Sequence, residues 1–318
     1  MDIDKIGEKE RYDMLAEMAD LYYNQGKTQS EIAKYFDTNR FRVAKLLQDA
    51  RNEQIVEIHI NYSNERNTVL ESEVKEKLGL DKVIVVNSQY ATYTDSLTQM
   101  GKVGAAYLDR LLQESKVIGV TWGKTIYSVV AQLSMVVGAS VEAVQMTGCT
   151  KTANPSADTR ELVRQIAAAY NGNYYYLNAP LYMKNDEIRE AFLEEPVIKK
   201  TLQKTEKMDI VLTGIGGKSS LPTNNPVMRE YITEHDRACE DYLGSMYGYV
   251  LDGEGRIADM DLNKKRIGAR IEDIEKAAHR IVVACGRHKT EILKKAAGNQ
   301  LYNELLTDTD TALHILEE

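Results

Sequence analysis

Apolar side chains recur at Met14, Leu15, Met18, Leu21 and Tyr22, three and four positions apart, and this spacing predicts a helix over 8–24. The polar run Asn24–Gln25–Gly26–Lys27 ends it. A second helix is predicted over 28–36: Thr28 and Glu31 form a T-x-x-E capping box, and Ile32, Ala33 and Phe36 share the inward face. Asp37 and Thr38 make a tight turn, and Asn39 is suited to cap a third helix over 40–52, with Val43, Leu46 and Leu47 inward. Residues 55–60, IVEIHI, alternate apolar and polar, as a half-exposed strand does.

Past a polar stretch at 61–67 the pattern changes. A helix is predicted over 68–78, with Leu70, Val74 and Leu78 four apart. Short β-branched runs then follow at 83–86, 117–120, 141–146, 210–212 and 281–284. Helical stretches at 96–113, 158–170, 186–194 and 290–297 lie between them. Continuous apolar strands alternating with amphipathic helices predict an α/β fold: a Rossmann-like, doubly wound parallel sheet covered on both faces. Pro196 and the cluster 221–226 read as loops. The expected organisation is a helix-turn-helix domain, winged-helix-like, over 1–60 and a larger domain over 61–318.

The first segment fits a helix-turn-helix rather than a plain three-helix packing unit. Such a motif needs a small residue where the helices cross, a turn residue that accepts a left-handed backbone, and an apolar pin on the second helix. Ala33, Asp37 and Val43 supply them. The whole chain of 318 residues carries a net charge of −8, which argues against non-specific binding to polyanions. The third helix is the exception: Arg40, Arg42, Lys45 and Arg51 face one carboxylate, Asp49. With Gln48 these are its expected exposed residues. Arg40 and Arg42 stand at the end that reaches base edges, and Lys45 can contact a base or a phosphate. Thr28, Gln29 and Ser30 open the preceding helix and suit a phosphate oxygen; Asn39 completes the candidate DNA-binding set.

In an open parallel sheet, ligands sit beyond the carboxyl ends of the strands. The loops there are TWGKT at 121–125, TGCTK at 147–151, TGIGGKSS at 213–220 and CGRHK at 285–289. Each combines glycine with a nearby lysine, which predicts a pocket for a small phosphorylated or otherwise anionic ligand. No P-loop and no complete dinucleotide fingerprint occurs. The five histidines are scattered, which predicts no metal site, and no acid–base pair or other catalytic set stands out. Asp252, in LDGEG, reads most simply as a turn residue bonding its own backbone. The tyrosines at 170, 174–176, 182, 242 and 247 read as packing or interface residues, with one or two able to stack on a sugar ring. Hydrophobic content of 43%, three separated cysteines, no membrane-span-length apolar run and a charged N-terminus predict a soluble, reduced, cytoplasmic protein without cofactor.

Together the segments LYYNQGKTQSEIAKYF, RVAKLLQDARNEQIVEIHI, VIGVTWGKT, NAPLYM, DIVLTGIGG, 244–255 and ACGRHK resemble, in their order, the SorC family of bacterial sugar-responsive transcription regulators. The resemblance spans nearly the whole chain. It implies a large domain similar to sugar-phosphate isomerases but acting as an effector sensor, and a homodimer or homotetramer on palindromic operator DNA. By position it implies Gly123, Lys124, Thr125, Thr147, Gly148, Gly216, Gly217, Asp252 and Lys289 as effector-binding candidates, with Lys289 the leading phosphate partner. The chain departs from the family pattern at Ser245, where an acidic residue is usual, at Cys149, and at Lys264–Lys265. The alternative reading of the same sheet is a sugar-phosphate isomerase-like enzyme; a further one is an adaptor whose helix-turn-helix contacts only protein.

Overall fold

The structure is a computed structural model that describes residues 7–53, 55–56, 65–88, 92–114, 116–135, 140–150, 154–221, 228–238 and 241–317. It divides into two compact units, Met1–Ser63 and Asn64–Glu318, a few residues past the expected boundary.

The first unit contains helices Glu8–Ala19, Gln29–Tyr35 and Arg40–Asn52. The first ends in a wider π-helical turn, Asp20–Asn24. Met14, Leu15, Met18, Ile32, Ala33, Val43, Leu46, Leu47 and Ala50 form its core. Most of the strand expected at 55–60 lies outside the described residues; Ile55 and Val56 pack against this core without forming a strand.

The second unit contains strands β1 (Lys82–Val86), β2 (Val117–Val120), β3 (Glu142–Gln145), β4 (Asn173–Tyr175), β5 (Ile210–Thr213), β6 (Ile215–Gly217), β7 (Tyr242–Met246), β8 (Tyr249–Asp252), β9 (His279–Val283) and β10 (Glu304–Asp308). Seven of them form a sheet in the order β1-β10-β9-β5-β2-β3-β4, every pairing parallel. Strands β6, β7 and β8 form a smaller antiparallel sheet.

Alternation along the central strands explains their unbroken apolar runs. Val83, Val85, Val211, Val282 and Leu305 point to one core, shared with helices Thr68–Leu78, Thr290–Gly298 and Thr309–Leu316. Ile84, Val86, Ile118, Leu212, Ile281 and Leu306 point to the other, shared with helices Tyr93–Glu114, Lys124–Val130 and Thr159–Ala169. Each side chain of a run is therefore buried, but on alternate faces.

Several elements differ from the sequence reading. Pro196 opens helix Pro196–Thr205, where its missing N–H costs nothing, instead of marking a loop. The cluster at 222–226 lies outside the described residues. Strand β10 carries acidic residues at Glu304 and Asp308, which hide its period, yet all five of its residues are buried. The exposed edge of β1 is covered by Arg66, which bridges Val86 and grips the buried Glu71 through two hydrogen bonds of 2.7 and 2.6 Å. Glu71 also accepts from the Val85 N–H at 3.1 Å. Replacing Glu71 by Ala should lower unfolding free energy by about 1–3 kcal/mol in urea denaturation, because a buried N–H and a half-buried guanidinium lose their acceptor.

Candidate functional site

The chain leaves β2 to cross over the face that carries helix Lys124–Val130 and returns as β3. It leaves β5 for the opposite face, through β6–β8, and returns as β9. Since β2 and β5 are neighbours, their outgoing loops diverge and leave a crevice at the carboxyl end of the sheet. A cavity of about 270 Å³ occupies that crevice. Its walls are Thr121–Thr125 after β2, Thr213–Gly216 after β5, Ser245–Gly248 at the β7–β8 tip, and Tyr93, Ser220 and Lys289.

The frame is fixed by its own hydroxyls. Thr121 Oγ1 and Thr213 Oγ1, both buried, share a hydrogen bond of 2.9 Å where β2 and β5 end. Thr125 Oγ1 donates to the Val283 carbonyl at 2.8 Å, tying the TWGKT loop to the end of β9. Gly123 adopts φ 142, and Gly244 lies so close to β6 that a Cβ there would sit 1.9 Å from the Gly216 carbonyl oxygen. The Tyr247–Gly248 tip is left-handed, with φ 56 and 81. Buried Arg266 donates to the Tyr247 carbonyl and Tyr182 to the Gly248 carbonyl, both at 2.8 Å, so the strained turn is held from behind.

Among the described residues, two lysines and no carboxylate line the cavity. Lys124 is exposed. Lys289 is half-buried and forms no salt bridge among the described residues; burial lowers its pKa, against smaller raising effects of Cys285 and Asp308. A desolvated ammonium without a partner ion is a place where an anion is attracted strongly.

Of the effector candidates, Gly123, Lys124, Thr125, Gly216 and Lys289 therefore meet at one cavity. Thr147, Gly148, Gly217 and Asp252 do not line it. Thr147 is fully buried and bridges Gly268. Gly148 is needed for packing, since a Cβ would lie 2.2 Å from the Pro180 carbonyl oxygen. Gly217 is buried in β6, pairing with Gly244. Asp252 closes a turn, accepting from Glu254 N and Arg256 N at 2.9 and 3.0 Å. The sequence did not single out Tyr93, Thr213, Gly214 or Ser245 as ligand contacts, and Tyr247 entered only within a group of tyrosines of which one or two could stack on a sugar ring. The loop after β5 carried Thr213 and Gly214 in plain view, whereas nothing local signals that Tyr93 reaches the site.

In the first unit, Thr28 and Glu31 form the expected capping box: Thr28 N donates to Glu31 Oε2 at 2.8 Å and Glu31 N to Thr28 Oγ1 at 3.3 Å. The backbone and hydroxyl donors of Thr28 hold the Glu31 carboxyl below its ordinary range. The Thr28 hydroxyl hydrogen goes to Glu31 as well, so it is occupied in the cap. Gln29 is half-buried and Ser30 exposed. Asp37 takes φ 47, the left-handed turn that the motif requires, and Asn39 Oδ1 caps the third helix by accepting from Arg42 N at 2.9 Å. Arg40 and Lys45 are exposed; Arg42, expected on the open face, is half-buried.

Residues 62–317 match the Sugar-bind family model, "Putative sugar-binding domain". The chain is 26% identical to the sorbitol operon regulator of Klebsiella pneumoniae, over 96% of this chain and 98% of that one. It is 24% identical to the deoxyribonucleoside regulator of Bacillus subtilis, over 98% and 99%. The full-length crystal structure of the Klebsiella regulator SorC superposes with a TM-score of 0.73 at 26% identity, over 96% of this chain and 98% of that one. The chain belongs to this sugar-binding-domain family of SorC-type regulators. It is a transcriptional regulator, and no observation favours the isomerase reading.

Burial penalises the charged form of Lys289 in the folded state only, so Lys289→Met should raise Tm in the absence of ligand. A folded-state pKa below the ordinary lysine value means that this penalty fades as pH rises through it. The Tm gain should therefore be largest near neutral pH and shrink in alkaline buffer, as differential scanning calorimetry at several pH values would measure.

Proposed function

We propose that the crevice between the β2 and β5 loops binds a phosphorylated sugar, or another anionic sugar derivative, and that this binding sets the affinity of the first unit for operator DNA. The observation that carries the proposal is Lys289, a half-buried ammonium that, among the described residues, has no salt bridge and lines a cavity without carboxylates. Gly123, Lys124, Thr125 and Gly216 surround the same space. The relatives named for sorbitol and deoxyribonucleoside control support a carbohydrate-derived effector. Thr147, Gly148, Gly217 and Asp252 support the frame in this reading and do not touch the ligand.

Residues 1–63 are the DNA-binding unit, with Arg40 and Lys45 facing the major groove and Ser30, Gln29 and Asn39 near phosphate. Residues 64–318 bind the effector and hold subunits together. One reading helix covers only one half-site, so a homodimer or homotetramer is needed to span a palindrome, with half-site centres roughly 34 Å apart. The effector then acts by favouring one arrangement of subunits over another. No helix among the described residues is long and apolar enough to cross a membrane, consistent with a regulator working in the cytoplasm.

A thermal-shift screen against sugars and sugar phosphates should give a phosphorylated hit, whose shift grows with concentration. Lys289→Ala should weaken that hit about 10- to 100-fold, the loss of a charge-assisted hydrogen bond, and isothermal titration calorimetry would measure it. An unchanged affinity would remove the pocket assignment. Affinity should fall as pH rises and Lys289 loses its charge, and Lys289→Arg should hold it to higher pH. Arg40→Ala should weaken binding to DNA upstream of the chain's own gene by ~1–3 kcal/mol in a mobility-shift assay.

A further inference from the structure

The chain has three phenylalanines. Phe36 and Phe192 pack against hydrophobic cores. Phe41 does not: it is 73% exposed and lies outside the core of its unit. It occupies the second position of helix Arg40–Asn52, at the end that would meet base edges. The Arg40 guanidinium sits 4.8 Å from its ring centroid. One turn further along the same face come Lys45 and then Gln48, both exposed.

An exposed aromatic ring costs solvation free energy in the free protein, and packing does not explain it here. The surface around it is cationic, which suits a polyanion and disfavours an apolar protein groove. Within the major groove one base edge is apolar: the 5-methyl group of thymine, which phenylalanine is able to cover. The stacked Arg40 is held beside the ring, and a guanidinium there reaches guanine O6 and N7 or a phosphate.

We propose that Phe41 is a specificity-determining residue that reads a thymine methyl group in each operator half-site, with Arg40 braced against its ring to contact the neighbouring base or phosphate. The proposal rests on the DNA-binding reading above and adds a base identity to it.

The test begins with selection of bound sequences from randomised duplex DNA by the full-length wild-type chain. A thymine should be fixed at one position of each half-site. Replacing that thymine by deoxyuridine removes only the methyl group, and should weaken wild-type binding about fourfold, the cost of one methyl group left unburied. Phe41→Ala should bind the thymine and uracil duplexes equally, and its own selection should lose the preference at that position. Phe41→Leu should keep part of the discrimination. Because the ring is outside the core, neither substitution should change the thermal transition, and circular dichroism checks this. The proposal fails if no thymine methyl affects wild-type affinity, or if Phe41→Ala keeps the same discrimination. It also fails if Phe41→Ala changes the oligomeric state in light scattering while methyl dependence persists, which would make the ring a protein contact. Failure of the DNA-binding reading would look different: the wild type would enrich no sequence, and Arg40→Ala would change nothing.

Discussion

Two neighbouring parallel strands, β2 and β5, send their chains to opposite faces of the sheet, and the crevice between their loops depends on that divergence. The loops cannot close over one another, so a gap opens at the carboxyl ends of the strands. The sheet supplies rigidity, because its strands are buried on both faces and paired in register. The gap supplies space, and the buried hydroxyl pair Thr121–Thr213 ties the ends of the two strands together. Tyr93, Ser245–Gly248 and Lys289, from outside these two strands, complete the walls.

Charge placement follows the same economy in both units. The chain as a whole is acidic, yet Arg40 and Lys45 on helix Arg40–Asn52, and Lys124 and Lys289 at the cavity, are cationic. Lys289 is the costlier arrangement, since burial opposes its charge before any ligand arrives. A poorly solvated ammonium with no salt bridge among the described residues gives up stability in the free protein. The Tyr247–Gly248 turn is similar in kind. Its left-handed backbone is unfavourable for tyrosine, and hydrogen bonds from Arg266 and Tyr182 keep it at the cavity wall.

Glycine illustrates how a local motif can have two meanings. Gly123 and Gly148 each follow a strand in a loop rich in hydroxyls, and from sequence they are equivalent. In the fold, Gly123 opens backbone to the cavity, while Gly148 lets its loop pass against the Pro180 carbonyl. Asp252 is a related case. Its LDGEG context indicated a turn, and its carboxylate does accept from the backbone of that turn.

Local chemistry was enough to define the helix-turn-helix. The Thr28–Glu31 box, the Asn39 cap and the left-handed Asp37 are interactions within a few residues, so their signals sit side by side in the chain. The class of the larger unit was legible too, because strands buried on both faces need continuous apolar runs and the helices between them need one apolar face. The order of the strands was not legible, and the membership of the cavity was legible only in part: Gly123, Lys124, Thr125, Gly216 and Lys289 were named from the strand-end loops and the family resemblance. Tyr93 and Ser245 were not among them; they are far apart in the chain and join Lys289 only because β1, β7 and β9 end near one crevice. The short strands β4 and β10 escaped for the same reason: what makes them strands is pairing with distant partners, a property of the assembled sheet and not of any window of sequence.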